Sequence, residues 1–172
     1  AKLTGGVAVI RVGAPSEAEM KNRKEAFEDA ISATRAAAEE GIVPGGGLAL
    51  LRCIDAVDQE ESHCTGDEQT GVRILKRALE TPARQIAENS SVDGGVVVDR
   101  MRSGQGSFGF NAETGKYVDL IAEGIIDPTK VVRVAIENAV SVASTLLLSE
   151  ATMTELPERE GKLEGHAEPA MA

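Results

Sequence analysis

Aromatic side chains are scarce in this sequence of 172 residues: they make up 2% of it, and tryptophan is absent. Proteins that bind single-stranded nucleic acid stack the bases on aromatic rings, so the composition argues against that class. Apolar residues make up 42% of the chain, which is enough to bury a core. Since so few of them are aromatic, that core must consist mainly of Ala, Val, Ile and Leu, which suits closely packed helices.

Positive charge is also in short supply, with 18 Lys and Arg against 28 Asp and Glu and a formal net charge of −10. An acidic surface repels phosphate backbones and anionic lipid, so we expect neither nucleic acid nor a membrane as a partner. The most apolar stretch, residues 131–148, is interrupted by Arg133, Glu137 and Asn138. We therefore expect no segment that spans a bilayer.

Cysteine and histidine are rare, with two of each. Cys53 and Cys64 form no CxxC pair, and the four residues do not have the spacing of a metal site. His63 stands beside Cys64 in a polar stretch, which favours a surface loop over a metal ligand. We expect no metal site of this kind, and two thiols suit a reducing, cytoplasmic location.

Two β-branched segments lack an obvious partner. Residues 7–12 and residues 151–156 both predict strands, but the neighbouring sequence offers neither of them a mate. Such strands usually pair with other parts of a longer chain or with another subunit. The sequence therefore predicts that this chain is one part of a longer protein.

Most of the remaining sequence predicts helices. Ser16 and Glu19 form a capping-box pattern at the start of a long helix that Gly41 ends. Its apolar positions recur at helical spacing along one face. These positions are Met20, Phe27, Ile31, Thr34 and Ala38. Further helices are predicted over residues 48–57, 67–79, 95–101 and 131–149, with a restart at Thr81-Pro82.

The last predicted helix, residues 131–149, is apolar on nearly all sides, so we expect it to be the buried rod of the core. A β-hairpin is predicted over residues 104–116, where Phe108 and Phe110 alternate with small residues and residues 113–115 form the turn. Residues 157–172 are rich in Glu, Gly, Pro and Ala and are predicted to be a disordered tail.

The loop Gly45-Gly46-Gly47 is the most suggestive local feature. Glycines before a helix let a ligand approach the backbone, and the free N–H groups and the helix dipole there favour an anion. The alternative is a turn between two helices that requires positive φ. No GK[ST] follows the loop, so it is not a Walker loop.

Three polar positions have both functional and ordinary explanations. Asp29 lies roughly opposite the apolar face of the long helix, where it faces either solvent or a cleft. Asp127 with Thr129 either caps the following helix or contacts a ligand. Asn111-Ala112 at the hairpin is either turn chemistry or a contact site. The residues alone leave these alternatives open.

Taken together, these segments resemble the group I chaperonins, the Hsp60 family. The resemblance extends to about Pro157, and it is carried by the order and spacing of five segments rather than by any one of them. The segments are residues 2–10 (KLTGGVAVI), 28–30 with 33–37 (EDA, ATRAA), 39–47 (EEGIVPGGG), 109–112 (GFNA) and 124–131 (GIIDPTKV).

The resemblance implies a mainly α fold. Residues 1–40 would be part of the α/β intermediate domain, which carries the hinge. Residues 41–156 would be the C-terminal half of the multihelical equatorial domain with its β-hairpin, which binds ATP and makes most ring contacts. Residues 157–172 would be the tail, in which the family's usual Gly-Gly-Met repeats are replaced.

The resemblance also implies a nucleotide site, carried over residue by residue. Asp29 matches the aspartate that positions or activates the attacking water. Gly45 and Gly46 match the loop that lies against the nucleotide. The remaining matches are Asn111, Ala112 and Ile125 near the base and Asp127 at the ribose. The Gly-Asp-Gly-Thr-Thr phosphate loop and the metal-binding aspartate of the family are not in this sequence, so most ligands of Mg²⁺ and K⁺ would lie outside it.

The partners implied are identical subunits in a heptameric double ring, a co-chaperonin of the Hsp10 family, and unfolded client proteins held by an apical domain. The location implied is bacterial cytoplasm or an organellar matrix. The alternative hypothesis is a non-enzymatic helical oligomerisation module with no activity of its own.

Overall fold

The computed structural model describes residues 8–155. Six helices and four short strands occur in this part of the chain, so the prediction of a mainly α fold is confirmed. In chain order they are α1 (Glu17–Glu40), β1 (Ile42–Pro44), α2 (Leu48–Arg52), α3 (Ile54–Glu61), α4 (Asp67–Asn89), α5 (Gly94–Ser103), β2 (Phe108–Asn111), β3 (Lys116–Asp119), β4 (Ile126–Pro128) and α6 (Thr129–Leu148).

The chain divides into two compact units, Ala1–Glu137 and Asn138–Ala172, with the boundary inside α6. The first unit contains all the other helices and strands. Of the second unit, the structure describes the C-terminal part of α6 and the residues up to 155. The predicted tail, 157–172, lies outside the described residues.

The ends of α1 follow the sequence prediction. The Ser16 hydroxyl accepts a hydrogen bond from the N–H of Glu19 at 3.3 Å, and Gly41 ends the helix with φ +80°. The Glu19 carboxylate bonds Arg23 one turn later, so only half of the capping box forms. No residue of α1 is buried within this chain, although one face of it is apolar.

The core of the first unit lies where α2, α4, α5 and the hairpin meet. Its members are aliphatic side chains and one aromatic ring: Leu48, Leu51, Ile54, Leu79, Ala83, Ala87, Val97, Val98, Met101, Phe110 and Leu120. Small residues let the elements approach closely. A Cβ added to Gly47 would lie 2.7 Å from the backbone N of Ala83 in α4, so α2 can only start where it does because residue 47 is glycine.

Three predicted helix boundaries were wrong. The helix expected over residues 48–57 is divided at Cys53 into α2 and α3, and α3 continues to Glu61, into the stretch expected to be a loop. Residues 67–89 form one helix with Pro82 inside it, where we expected an end and a restart. The missing N–H of Pro82 removes one hydrogen bond, but packing of Leu79, Ala83 and Ala87 into the core holds both sides of that point.

The predicted hairpin and its turn are present, with β2 and β3 antiparallel and Phe108 opposite Asp119, but its second strand, Lys116–Asp119, extends past the predicted range of 104–116. The turn lies between Asn111 and Lys116, and Gly115 within it has φ +69°. The rings of Phe108 and Phe110 both contact Tyr117, and the Arg100 guanidinium lies 4.1 Å from the centre of the Tyr117 ring. Aromatic contacts of this kind fix the hairpin against α5.

Two predicted strands are absent. Residues 8–12 and residues 151–155 have no regular secondary structure; Val7 and Leu156 lie outside the described residues. A strand requires a hydrogen-bonding partner, and within residues 8–155 neither segment has one.

Helix α6 is not the buried rod that its composition predicts, since none of its residues is buried within this chain. Ile136 packs partly against the core, whereas Val142, Leu146 and Leu148 are exposed. By length and composition alone, α6 could cross a membrane, so the expectation that no segment could do so was wrong on that criterion. One such helix is weak evidence, and Arg133 in it forms ion pairs that belong in a polar environment.

Candidate nucleotide site

A short two-stranded ribbon joins the glycine loop to the acidic segment near residue 127. Strands β1 and β4 are antiparallel, with Val43 opposite Asp127 and Pro44 opposite Ile126. The sequence analysis did not predict either strand. The pairing brings Gly45 within two positions of Asp127, although 82 residues separate them in the chain.

Gly45 follows β1 directly and Ile125 directly precedes β4, so both lie at the end of the ribbon, two positions from Asp127. The N–H of Gly45 donates to the carbonyl of Ile125 at 2.9 Å. A Cβ on Gly45 would lie 3.2 Å from Cγ2 of Ile125. Diagonal neighbours in such a pair lie about 7–8 Å apart, so Gly45 and Asp127 are close enough to contact one small molecule.

Gly46 is the member of the loop that leaves room. Its φ is +62°, and a Cβ added to it would meet only ordinary van der Waals contacts, with the Phe110 carbonyl at 3.7 Å and the Leu120 side chain at 3.6 Å. These contacts place the loop beside the end of β2, one residue before Asn111. The positive φ supports the turn interpretation of the glycine loop and is equally compatible with a ligand against its backbone.

Asn111 is the one polar residue that is buried among the described residues. Its Oδ1 accepts hydrogen bonds from the N–H groups of Glu113 and Thr114, at 3.0 and 3.2 Å. This is the turn chemistry that the sequence allowed. Ala112 is partly buried and packs against the core, so both residues are held in fixed positions beside the glycine loop.

Asp29 lies in α1, twelve residues before the helix ends at Gly41, and is exposed. Among the described residues, no hydrogen bond or ion pair joins it to the other six predicted site residues. The C-terminal end of α1 contacts β4, so the helix that carries Asp29 is attached next to Asp127. Asp127 therefore lies in the ribbon, with Gly45 and Ile125 at its end. Asn111 and Ala112 lie in the hairpin that Gly46 contacts, and Asp29 lies on the helix that adjoins β4.

Two basic residues beside this site were missed. Arg133 donates to both carboxylate oxygens of Glu40, at 3.1 and 2.6 Å, and Lys130 pairs with Glu39. The hydrogen bond from Arg133 is the main cause that holds the pKa of Glu40 below its ordinary value, and the same pairing raises the pKa of Arg133. Sequence reasoning had no signal for these pairs, because more than 90 residues separate the partners.

Within residues 8–155, no group of three or more His, Cys, Asp or Glu side chains could hold a metal ion. An apolar cavity of about 710 Å³ is lined by Val43, Leu50, Arg52 and Ile136 among others. It contains none of the predicted site residues.

Comparisons with known proteins agree with this architecture. Among solved structures, the chain resembles that of a group III chaperonin in the open state, with a TM-score of 0.75 and 30% identity. The match covers 83% of this chain and 30% of the chaperonin chain. It is 73% identical, over 158 residues, to chaperonin GroEL 5 of Bradyrhizobium diazoefficiens, which covers 92% of this chain and 29% of that protein. This chain therefore spans less than a third of the length of either relative.

The first of these comparisons gives the class of fold, that of a chaperonin. The model of the TCP-1/cpn60 chaperonin family matches residues 2–157, and the chain belongs to that family. The resemblance to group I chaperonins inferred from the five sequence segments is confirmed.

Proposed function

We propose that this chain is the C-terminal part of an ATP-dependent chaperonin subunit, which assists protein folding, and that it supplies one wall of the ATP site and part of the ring contacts. The observation that carries the proposal is the β1–β4 ribbon, which brings the start of the glycine loop within two positions of Asp127.

The proposed roles follow from the positions. The backbone of Gly45 and Gly46, next to the start of α2, lies against the phosphates. Asp127, two positions away, accepts hydrogen bonds from the ribose hydroxyls. Asn111, Ala112 and Ile125 enclose the base, and the first two are already held rigidly by the hairpin turn. Fixed polar groups of this kind bind without a cost for ordering them.

Asp29 is proposed to position or activate the water that attacks the terminal phosphate. Phosphoryl transfer depends on positioning and on neutralising charge rather than on covalent chemistry. A carboxylate on a helix that joins the site through one end can enter it when a domain closes, which would couple hydrolysis to a change of shape. Asp29 would occupy the proposed intermediate domain, residues 1–40, and the remaining site residues the equatorial domain, 41–156.

The site residues of this chain contribute two carboxylates and no cation, so they do not neutralise a triphosphate. Mg²⁺ and K⁺ would supply positive charge when bound, and their ligands are proposed to lie mostly in the remainder of the subunit. The same holds for contacts with unfolded clients and with an Hsp10-type co-chaperonin. Identical subunits in a heptameric double ring and a cytoplasmic location complete the proposal.

A chimera tests it. Residues 2–157 replace the corresponding segment of GroEL 5, to which this chain is 73% identical over 158 residues, and ATP affinity, ATP hydrolysis and refolding of a denatured client are measured. We expect the chimera to do all three. Asp127→Ala should weaken ATP binding by about tenfold or more, the scale of a lost hydrogen bond between an ionised group and its partner. Asp99→Ala, which removes an exposed carboxylate from α5, is the matched control and should leave the affinity unchanged.

A chimera that assembles but neither binds nor hydrolyses ATP would contradict the proposal. Equal effects of Asp127→Ala and Asp99→Ala would contradict the role of Asp127 alone.

The second candidate is the non-enzymatic oligomerisation module. The observation that favours it is the apolar surface of α6, where Val142, Leu146 and Leu148 are exposed, because surfaces of this kind mark association sites. Sedimentation of the 172-residue chain with and without ATP separates the two candidates. Self-association together with a failure of the chimera to bind ATP would favour the module.

A further inference from the structure

We infer that Arg52 is a positioning residue that ties the glycine loop to the hairpin, so that both parts of the proposed nucleotide site move as one unit. The inference rests on the proposed function for its consequence, but the tie itself stands on the contacts of this chain. Arg52 is not a predicted site residue, and it lies five positions after Gly47 in the chain.

Arg52 is the last residue of α2, the helix that starts directly after the glycine loop. Its Nε donates to the carbonyl of Gly106 at 3.1 Å and its Nη2 to the carbonyl of Phe108 at 3.3 Å. The side chain thus spans from the far end of α2 to the start of β2. An arginine is suited to this because its planar guanidinium presents several donors in a fixed arrangement.

The segment that Arg52 holds leads directly to Asn111. The carbonyls on either side of Gly106 are already used, since Gln105 accepts from the N–H of Phe108 and Ser107 from that of Leu120. Gly106 itself has φ +59°. The Gly106 carbonyl lies between these two and accepts from Arg52 instead, so the guanidinium adds a bond to the segment that leads into β2.

The other end of α2 touches the same strand. A Cβ on Gly109 would lie 3.3 Å from the Leu48 side chain, and one on Gly46 would lie 3.7 Å from the Phe110 carbonyl. Helix α2 and strand β2 are consequently in contact at the start of the helix through packing and at its end through Arg52. Leu48 and Leu51 already hold α2 in the core, and Arg52 adds a direct link from its far end to β2, so the glycine loop keeps its position relative to Asn111.

A purely local role would be different. Arg52 would then only order residues 105–108, and its loss would leave the glycine loop as it is. Amide hydrogen exchange distinguishes the two because it reports opening at single residues. The hydrogen bonds donated by the amides of Leu48 and Gly45 report on the glycine loop, whereas those donated by the amides of Phe108 and Leu120 report on the hairpin.

The experiment measures exchange in the 172-residue chain with Arg52 unchanged, with Arg52→Met and with Arg52→Lys. The reference amide is that of Val97 in the core. Arg102→Met, which removes an arginine bonded to Glu80 at 3.1 Å, is the matched control. In Arg52→Met we expect about tenfold faster exchange, relative to Val97, at the loop amides and the hairpin amides alike. The exchange rates in Arg52→Lys should lie between those of Arg52→Met and those of the unchanged chain, because one ammonium group cannot reproduce the two hydrogen bonds of the guanidinium.

If Arg52→Met increased the exchange rate only at Phe108 and Leu120, the link between loop and hairpin would be contradicted. An equal increase in the exchange rate of Val97 would contradict it as well. In the chimera, Arg52→Lys should raise the Kd for ATP severalfold and leave kcat at saturating ATP unchanged. An unchanged Kd in a chimera that binds ATP would overturn the positioning role. If the unsubstituted chimera binds no ATP, the proposed function fails, while the exchange experiment still decides whether Arg52 joins loop and hairpin.

Discussion

Arg133 holds the carboxylate of Glu40 with two parallel hydrogen bonds, at 2.6 and 3.1 Å, and bonds Glu137 with its third nitrogen at 2.8 Å. Glu40 is the last residue of α1, where the helix dipole disfavours negative charge. Arg133 and the neighbouring Lys130, which pairs with Glu39, offset that charge. The two ion pairs attach the end of α1 to the start of α6, next to the ribbon that carries Asp127.

The pairing makes stability depend on pH. The pKa of Glu40 in the folded chain lies below its ordinary value of 4.5, first because of the hydrogen bond from Arg133. A carboxylate of this kind adds stability that is fully present above the unfolded pKa and is lost as pH falls through the folded pKa. The free energy of unfolding of Glu40→Gln should therefore fall less steeply with decreasing pH than that of the unsubstituted chain. Urea unfolding at a series of pH values around and below 4.5 measures this dependence. Glu25→Gln, in the same exposed helix, is the control, and an equal slope in both variants would count against the assignment.

Two glycines of one loop should respond differently to alanine. Gly47 has φ +75° and its added Cβ would lie 2.7 Å from backbone atoms of Ala83, so Gly47→Ala should cost about 2–4 kcal/mol of unfolding free energy. Gly46 has a similar φ, but its added Cβ would meet only ordinary van der Waals contacts, so Gly46→Ala should cost about 1–2 kcal/mol from the left-handed backbone alone. Urea unfolding of both variants measures the difference. Equal losses would show that the contact with α4 is not tight.

Ser91 is the one residue other than glycine with positive φ among those described, at +61°. It ends α4 with the N–H of Val92 donating to the carbonyl of Ala87 at 3.0 Å, a Schellman arrangement that favours glycine at this place. Ser91→Gly should raise the unfolding free energy by about 0.5–1 kcal/mol. Ser90→Gly is the control, since Ser90 has φ −94° and its hydroxyl bonds Ile86, and it should lower stability. A lower melting temperature for Ser91→Gly would contradict the argument.

The two thiols should differ in reactivity. Burial raises the pKa of Cys64, and the negative charges of Glu68 and Glu60 raise it further, whereas Cys53 is exposed. Because the thiolate is the reactive form, iodoacetamide at neutral pH should alkylate Cys53 at least about tenfold faster. Peptide mass spectrometry over time measures both rates. The difference should disappear in urea, and equal rates in the folded chain would contradict the burial of Cys64.

Asp29 is predicted to act in hydrolysis rather than in binding. In the chimera, Asp29→Ala should leave the Kd for ATP nearly unchanged and slow hydrolysis by about a hundredfold or more, the scale of losing a positioned base. Steady-state hydrolysis and equilibrium ATP binding are measured on the same preparation. Glu28→Ala removes the neighbouring exposed carboxylate and should change neither. Comparable losses of affinity and turnover would assign Asp29 a binding role instead.

Local features of the sequence were sufficient wherever neighbouring residues decide the conformation. Ser16 caps α1 through an N–H three residues away, and Gly41 ends it because it accepts positive φ. The hairpin follows from alternating residues and a turn that Asn111 closes by itself. The family, too, was evident from the sequence, because its segments are short and contiguous and keep their order.

Tertiary structure decided the rest, because it depended on contacts between distant parts of the chain. Strands β1 and β4 have three residues each, too few for an alternating pattern, and only their pairing across the fold brings Gly45 to Asp127. The exposure of α6 was equally hidden, since an apolar helix is buried only if something covers it, and its composition is the same in either case. The sequence by itself predicted a set of candidate site residues, whereas the pairing of distant strands determined which of them lie together.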